Sequence, residues 1–142
     1  MLKGISPVLS PDLLKLLCEM GHGDEIVLAD ANFPGASVAK RTVRADGQPV
    51  STMLDAVLAL LPLDRYADPL IMMQAVASDQ LDPAVEEDYM RVVWLHEPEA
   101  ARPVRIERSA FYERARQAFC VVMTGEARIY GNIILKKGVI VR

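Results

Sequence analysis

SPDLLKLLCEMGHGDEIVLAD, residues Ser10 to Asp30, changes its hydrophobic pattern half-way along. In the first half Leu13, Leu14, Leu17 and Met20 recur at helical spacing, behind Ser10 as a cap and Pro11 in the first turn, and Gly21 ends the run. In the second half Glu25 to Asp30 is a short apolar run of strand length bounded by acids. A helix that buries one face, followed at once by a buried strand, is the unit from which an α/β sheet is assembled.

The alternation continues outward from this segment. ANFPGA, residues Ala31 to Ala36, has the Pro and Gly of a loop, and Thr42-Val43-Arg44 is a weak strand ended by Asp46-Gly47. Ser51 is expected to cap a helix through about Leu61, closed by Pro62, with Leu54, Val57, Leu58 and Leu61 inward. Pro69 to Met73 reads as a buried strand, and Asp82-Pro83 opens a helix that carries Val85, Tyr89, Val92 and Val93 to near Leu95. Val104 to Glu107 alternates as a strand does, after which Ser109 can cap a helix with Phe111, Ala115 and Ala118 on one side. Phe119 to Met123 is the next strand, Thr124-Gly125-Glu126 a turn, and Ile133 to Leu135 and Val139 to Val141 are terminal strands split by Lys136-Lys137-Gly138. The expected fold is therefore α/β, a three-layer sandwich whose central, largely parallel sheet is flanked by helices on both faces. A chain of 142 residues with 51% apolar content supports one core, so residues 1–142 are expected to form a single domain.

Charge narrows the partners. A net charge of −3 without clustered Lys or Arg offers nothing that selects nucleic acid or an anionic membrane. The N-terminal stretch has Ser6, Pro7, Ser10 and Pro11 where a signal peptide has its apolar core, and no run approaches the roughly 20 apolar residues of a membrane span. Cys18 and Cys120 lie far apart among apolar neighbours, as buried thiols in a reducing cytoplasm do. The expectation is a cytoplasmic protein.

Loops beyond strand ends are where an α/β sheet binds ligands, which directs attention to His22, Asp30, Arg108 and Tyr130. In Gly21-His22-Gly23-Asp24 two glycines expose a histidine, yet the loop follows a helix and precedes a strand, the reverse of a dinucleotide fingerprint. His96 is the only other histidine and no HExxH spacing exists, so no metal site is expected. On pattern alone His22 reads equally well as a loop histidine with a structural hydrogen bond. Asp30 is placed to reach a ligand or orient a histidine, or else to cap the following turn; Asp24 carries less weight. Arg108 suits sugar hydroxyls or solvent, and Tyr130-Gly131-Asn132 offers a phenol, an open backbone and an amide, or simply a strand entry with a glycine bulge. No nucleophile elbow, phosphate loop or CxxC is present, which leaves His, Asp, Tyr and Arg for any chemistry.

Five segments taken together carry a resemblance: MGHGDEIVLADANFP (Met20 to Pro34), RADG (Arg44 to Gly47), LDPAVE (Leu81 to Glu86), FYERA (Phe111 to Ala115) and YGNIILKKGV (Tyr130 to Val139). In this order and spacing the chain closely resembles the L-fucose mutarotase and D-ribose pyranase family, from Met1 to nearly its end. Gly23, where the pyranase branch typically has threonine, and Arg108, where it tends to carry histidine, favour the fucose branch. The resemblance implies a cofactor-independent isomerase that interconverts the α and β anomers of L-fucose or a related monosaccharide. It implies His22, Asp30 and Tyr130 as catalytic groups, and Asp30, Arg108, Tyr130 and Asn132 as substrate-binding ones. It further implies homo-oligomers, commonly two stacked pentameric rings forming a decamer, with active sites shared between subunits. Mutarotation needs one acid and one base, and an imidazole with an unperturbed pKa of about 6.5 serves in either role. On this reading Asp30, with Asp24 as a second choice, fixes the imidazole tautomer, and Tyr130 relays the complementary proton. Two rivals stay open: pyranose/furanose isomerisation of D-ribose, and a monosaccharide-binding module without turnover.

Overall fold

The Ser10 hydroxyl accepts a hydrogen bond from the Leu13 amide at 3.1 Å and Pro11 occupies the first turn, so helix α1 spans Pro11–Glu19 and buries Leu13 and Leu17. From this start a computed structural model describes residues 1–142. The remaining elements are β1 (Glu25–Ala29), α2 (Gly35–Val38), β2 (Thr42–Ala45), α3 (Val50–Leu58), β3 (Leu70–Met73), α4 (Pro83–His96), β4 (Val104–Ile106), α5 (Arg108–Gln117), β5 (Cys120–Thr124) and β6 (Ile133–Lys136). They form one domain.

The strands make a single sheet in the order β2-β5-β1-β6-β3-β4, in which only β6 runs against its neighbours. Central strands read as continuous apolar runs because both of their faces are covered. On one face Ile26, Leu28, Val122, Leu135 and Met72 pack under α1, α3 and α4; on the other Val27, Ala29, Val121, Ile134 and Ile71 pack under α2 and α5. This is the expected three-layer sandwich.

Several local expectations change. Ser51 does not cap α3: Pro49 precedes the helix, its carbonyl accepts from the Met53 amide at 3.2 Å, and the helix begins one residue before Ser51. The same helix ends at Leu58, where the Leu60 and Leu61 amides both turn back to the Val57 carbonyl. Likewise Ser109 lies inside α5, since the Glu107 carbonyl accepts from Phe111 at 2.9 Å and no side chain caps the end. ANFPGA is not wholly a loop, because α2 begins at Gly35, against whose Cα the Met123 side chain packs so closely that a Cβ there would collide with it. Val139 to Val141 form no strand. The ladder ends near Lys137, which donates to the Asp24 carbonyl, and Gly138, which donates to Pro62; beyond them the apolar side chains are exposed.

One topological fact places the site. The connection leaving β1 passes through α2 on one face toward β2, whereas that leaving β3 passes through α4 on the opposite face toward β4. Such a divergence opens a crevice at the carboxyl ends of the two strands, and β6 starts between them.

Candidate active site

At that crevice Asp30 follows β1 and Asn132 precedes β6. The Asn132 side chain completes the ladder where the strands part: its oxygen accepts the Asp30 amide at 2.8 Å, and its nitrogen donates to the Asp30 carboxylate at 2.9 Å. Asp30 also accepts the Asn32 amide at 3.0 Å. Burial pushes the Asp30 carboxyl above its ordinary value, against the hydrogen bonds from the Asn32 and Gly131 backbone and the Asn132 amide that favour its charged form. The turn-capping reading of Asp30 is thus met, through the Asn32 amide.

Tyr130 is the one non-glycine residue in the left-handed region, with φ of 57°. Its position is imposed by its neighbours. Gly131 has no room for a side chain, because a Cβ would lie 2.9 Å from the Arg128 carbonyl and 3.1 Å from the Tyr89 hydroxyl, whose proton is donated to the Gly131 carbonyl at 2.7 Å. The Tyr130 hydroxyl donates to the Asp79 carboxylate at 2.7 Å and accepts from the Val76 amide at 3.2 Å. Arg108 opens α5 and stands over the Tyr112 ring, its guanidinium carbon 5.4 Å from the centroid.

Asp30, Asn132, Tyr130, Arg108, Asp79 and Tyr112 surround one cleft of about 260 Å³, with Phe33, Met73 and Ile129 as its apolar walls. A volume slightly under the roughly 300–1,000 Å³ of sites for drug-sized ligands is the scale of a monosaccharide. Carboxylate, amide, phenol and guanidinium together supply both donors and acceptors, as a ring of hydroxyls requires, and the Tyr112 and Phe33 rings, stacked with centroids 5.3 Å apart, give an apolar surface.

His22 is elsewhere. It precedes β1 whereas Asp30 follows it, and a five-residue strand at about 3.3 Å per residue separates the two ends of the sheet by roughly 15 Å. The expectation that Asp30 or Asp24 orients the imidazole is therefore wrong for a single chain: Asp24 instead accepts the Gly21 amide at 2.8 Å. The partner of His22 is Asp64, at 3.0 Å from Nε2. A carboxylate only accepts, so Nε2 carries the proton and Nδ1 is left for chemistry. Burial acts to raise the Asp64 carboxyl, but the hydrogen bonds from His22 and from the Tyr66 and Arg65 amides outweigh it and hold the group below its ordinary value. The Tyr66 ring lies against the imidazole, with centroids 5.5 Å apart. Gly23 allows the loop its shape: at φ of 84° its amide reaches the Lys137 carbonyl at 2.8 Å, where a β-carbon would be strained.

Four of the five expected site residues are thus gathered, and His22 stands apart from them. Asp79, Tyr112 and Asp64 are additions. Asp79 had a usable signal, a polar loop directly after a buried strand; Asp64 had none, because its burial comes from the packing of the loop between Leu63 and Pro69.

The profile of the RbsD / FucU transport protein family matches residues 3–140. The chain belongs to this family. At 46% identity and a TM-score of 0.93 it is similar to the fucose mutarotase of Streptococcus pneumoniae, solved in complex with L-fucose, over 99% of this chain and 100% of that one. FucU from Bifidobacterium longum is 43% identical, with a TM-score of 0.92 over 98% and 100% of the two chains. RbsD of Bacillus subtilis, solved with D-ribose, shares the fold at 22% identity and a TM-score of 0.73, over 99% and 100% of the chains. Family membership and the largely parallel α/β architecture agree with what the sequence implies.

Proposed function

We propose that this chain is an isomerase that interconverts the α and β anomers of L-fucose, or of a closely related monosaccharide, by acid–base opening of the sugar ring. The observation that carries the proposal is convergence: Asp30, Arg108, Tyr130 and Asn132, from positions spread over most of the chain, meet at one cleft of sugar size. The 46% identity to an L-fucose-binding mutarotase supports the choice of sugar. Asp30 and Asn132, held by each other, and Arg108 bind hydroxyls, while Tyr130 receives the proton of the anomeric hydroxyl. Ring opening requires a second proton, delivered to the ring oxygen, and His22 supplies it from Nδ1 when the imidazole is doubly protonated. Positioned proton transfer of this kind contributes about 10²- to 10⁴-fold, enough for a reaction that already proceeds in water.

Because His22 lies at the opposite end of its own sheet from the cleft, this reading takes the imidazole from a neighbouring copy. Exposed apolar side chains at two different places support a shared site: Tyr66, Val139 and Val141 beside His22 and Asp64, and Ile129 beside Tyr130, of which Tyr66, Ile129 and Val141 are 82%, 58% and 86% exposed. Contact between unlike patches repeats head to tail and makes a ring where the rotation closes. A homo-oligomer of stacked pentameric rings, a decamer, is the form this takes in the proposal. No helix is long and apolar enough to cross a membrane. Cys120 is buried as expected whereas Cys18 is exposed, and two unpaired thiols suit the reducing cytoplasm in which we place the protein.

Exchange spectroscopy by NMR on L-fucose tests the function. Wild type accelerates α/β exchange, more for fucose than for D-ribose, and His22→Ala slows it by at least about 100-fold. Saturable sugar binding with no acceleration would convert the reading to a binding module, and exchange undiminished by His22→Ala would remove the imidazole from the mechanism.

A further inference from the structure

The turn after β3 presents two groups to a single oxygen atom. The Asp79 amide closes the turn on the Val76 carbonyl at 2.9 Å, which leaves the Val76 amide 3.2 Å and the Asp79 carboxylate 2.7 Å from the Tyr130 hydroxyl. A phenol has one proton and two lone pairs. Here the proton is committed to Asp79 and one lone pair to Val76, so only a lone pair remains for anything else. Tyr130 can accept a hydrogen bond from a sugar hydroxyl and cannot donate one while this arrangement holds. The other cleft carboxylate, Asp30, is buried and already accepts from Asn32 and Asn132, whereas Asp79 is exposed and can exchange a proton with water.

We infer that Asp79 is the positioning residue that makes Tyr130 a base, by receiving the phenol proton as the phenol receives the sugar's. The inference rests on the mutarotase reading. In the opening step the anomeric O–H proton passes to the Tyr130 hydroxyl oxygen while the phenol proton passes to Asp79. The electron pair of that O–H bond forms the carbonyl at the anomeric carbon. The bond from that carbon to the ring oxygen breaks, and the ring oxygen takes a proton from the protonated His22 of a neighbouring copy. Reclosure on the other face reverses every transfer, so nothing is oxidised and both residues return to their starting states. Asp79 touches the phenol, not the reacting atoms.

Asparagine at this position still offers an oxygen to the phenol proton but cannot keep it. Anomer exchange of L-fucose, measured for wild type, Asp79→Asn, Asp79→Ala, Tyr130→Phe and Tyr130→Phe/Asp79→Asn, therefore separates relay from placement. Asp79→Asn lowers kcat by at least about tenfold with KM within about twofold, whereas Asp79→Ala, which frees the phenol, also raises KM. In the Tyr130→Phe background Asp79→Asn costs less than about twofold further, because the two act as a unit. A wild-type kcat in Asp79→Asn, or an equal loss with and without the phenol, overturns the inference. A wild type that does not accelerate exchange is a separate result that removes the mutarotase reading itself.

Discussion

An imidazole bonded through Nε2 to a carboxylate has one nitrogen left for chemistry, and in this chain the carboxylate is that of Asp64. Asp64→Asn can no longer hold one tautomer by charge, so part of the proton-transfer advantage is forfeited and exchange slows by about 10- to 100-fold with little change in KM. The same substitution has a pH signature. The folded-state value of Asp64 lies below its unfolded one, so its contribution to stability is complete above the unfolded value and is lost as pH falls through the folded one. Chemical denaturation of the two proteins should therefore differ near neutrality, and the gap should close as pH drops below about 4. A gap independent of pH would mean that Asp64 acts through packing alone. Asp30 has the opposite sign, since burial raises its carboxyl, and its contribution fades as pH rises through the elevated value.

Among the elements, the turn between β5 and β6 decides where Tyr130 stands, and α4 holds that turn. Arg128 donates to both carboxylate oxygens of Glu126 at 3.0 and 3.1 Å, and to Asp88 of α4 at 2.6 Å. The hydrogen bond from Arg128 keeps the Glu126 carboxyl below its ordinary value despite burial, and the Glu126 carbonyl accepts the Ala31 amide at 2.8 Å, tying the turn to the residue after Asp30. Tyr89, fully buried on α4, adds the bond to Gly131. Tyr89→Phe leaves that buried carbonyl without its partner, which costs about 1–3 kcal/mol in unfolding free energy. It also loosens the one turn that sets the phenol, so KM for fucose rises while the far-ultraviolet spectrum stays native. Loss of stability with an unchanged KM would show that the Arg128 network holds the turn without the Tyr89 hydroxyl.

For the whole molecule, the separation of His22 from the cleft makes a direct prediction about assembly. If each site takes His22 from one copy and Tyr130 from the next, neither His22→Ala nor Tyr130→Phe alone has an intact site. Mixing them in equal amounts with subunit exchange restores about one quarter of wild-type activity, since half of the neighbours on each side carry the needed residue. Mixtures no more active than their components would confine the site to one chain. The concentration at which the assembly dissociates, read by analytical ultracentrifugation, should match that at which activity disappears.

Local pattern determined the elements of this protein. Helix and strand periods, the Ser10 cap and the apolar runs of β1, β3, β5 and β6 are set by neighbours a few residues apart, so they were legible along the chain. The errors are local: α3 and α5 begin on backbone hydrogen bonds one residue before Ser51 and Ser109, and Val139 to Val141 has a strand's composition but lies beyond the end of the ladder. The site is a different kind of property. Asp30, Arg108, Tyr130 and Asn132 could be singled out one by one, but only the crossing of β6 between β1 and β3 brings them to one cleft and sends His22 to the other end of the sheet. Asp64 became visible only there, and Asp79, whose place in a loop after β3 was readable, gained its partner only there, because hydrogen bonds between residues 42 and 51 positions apart are consequences of packing.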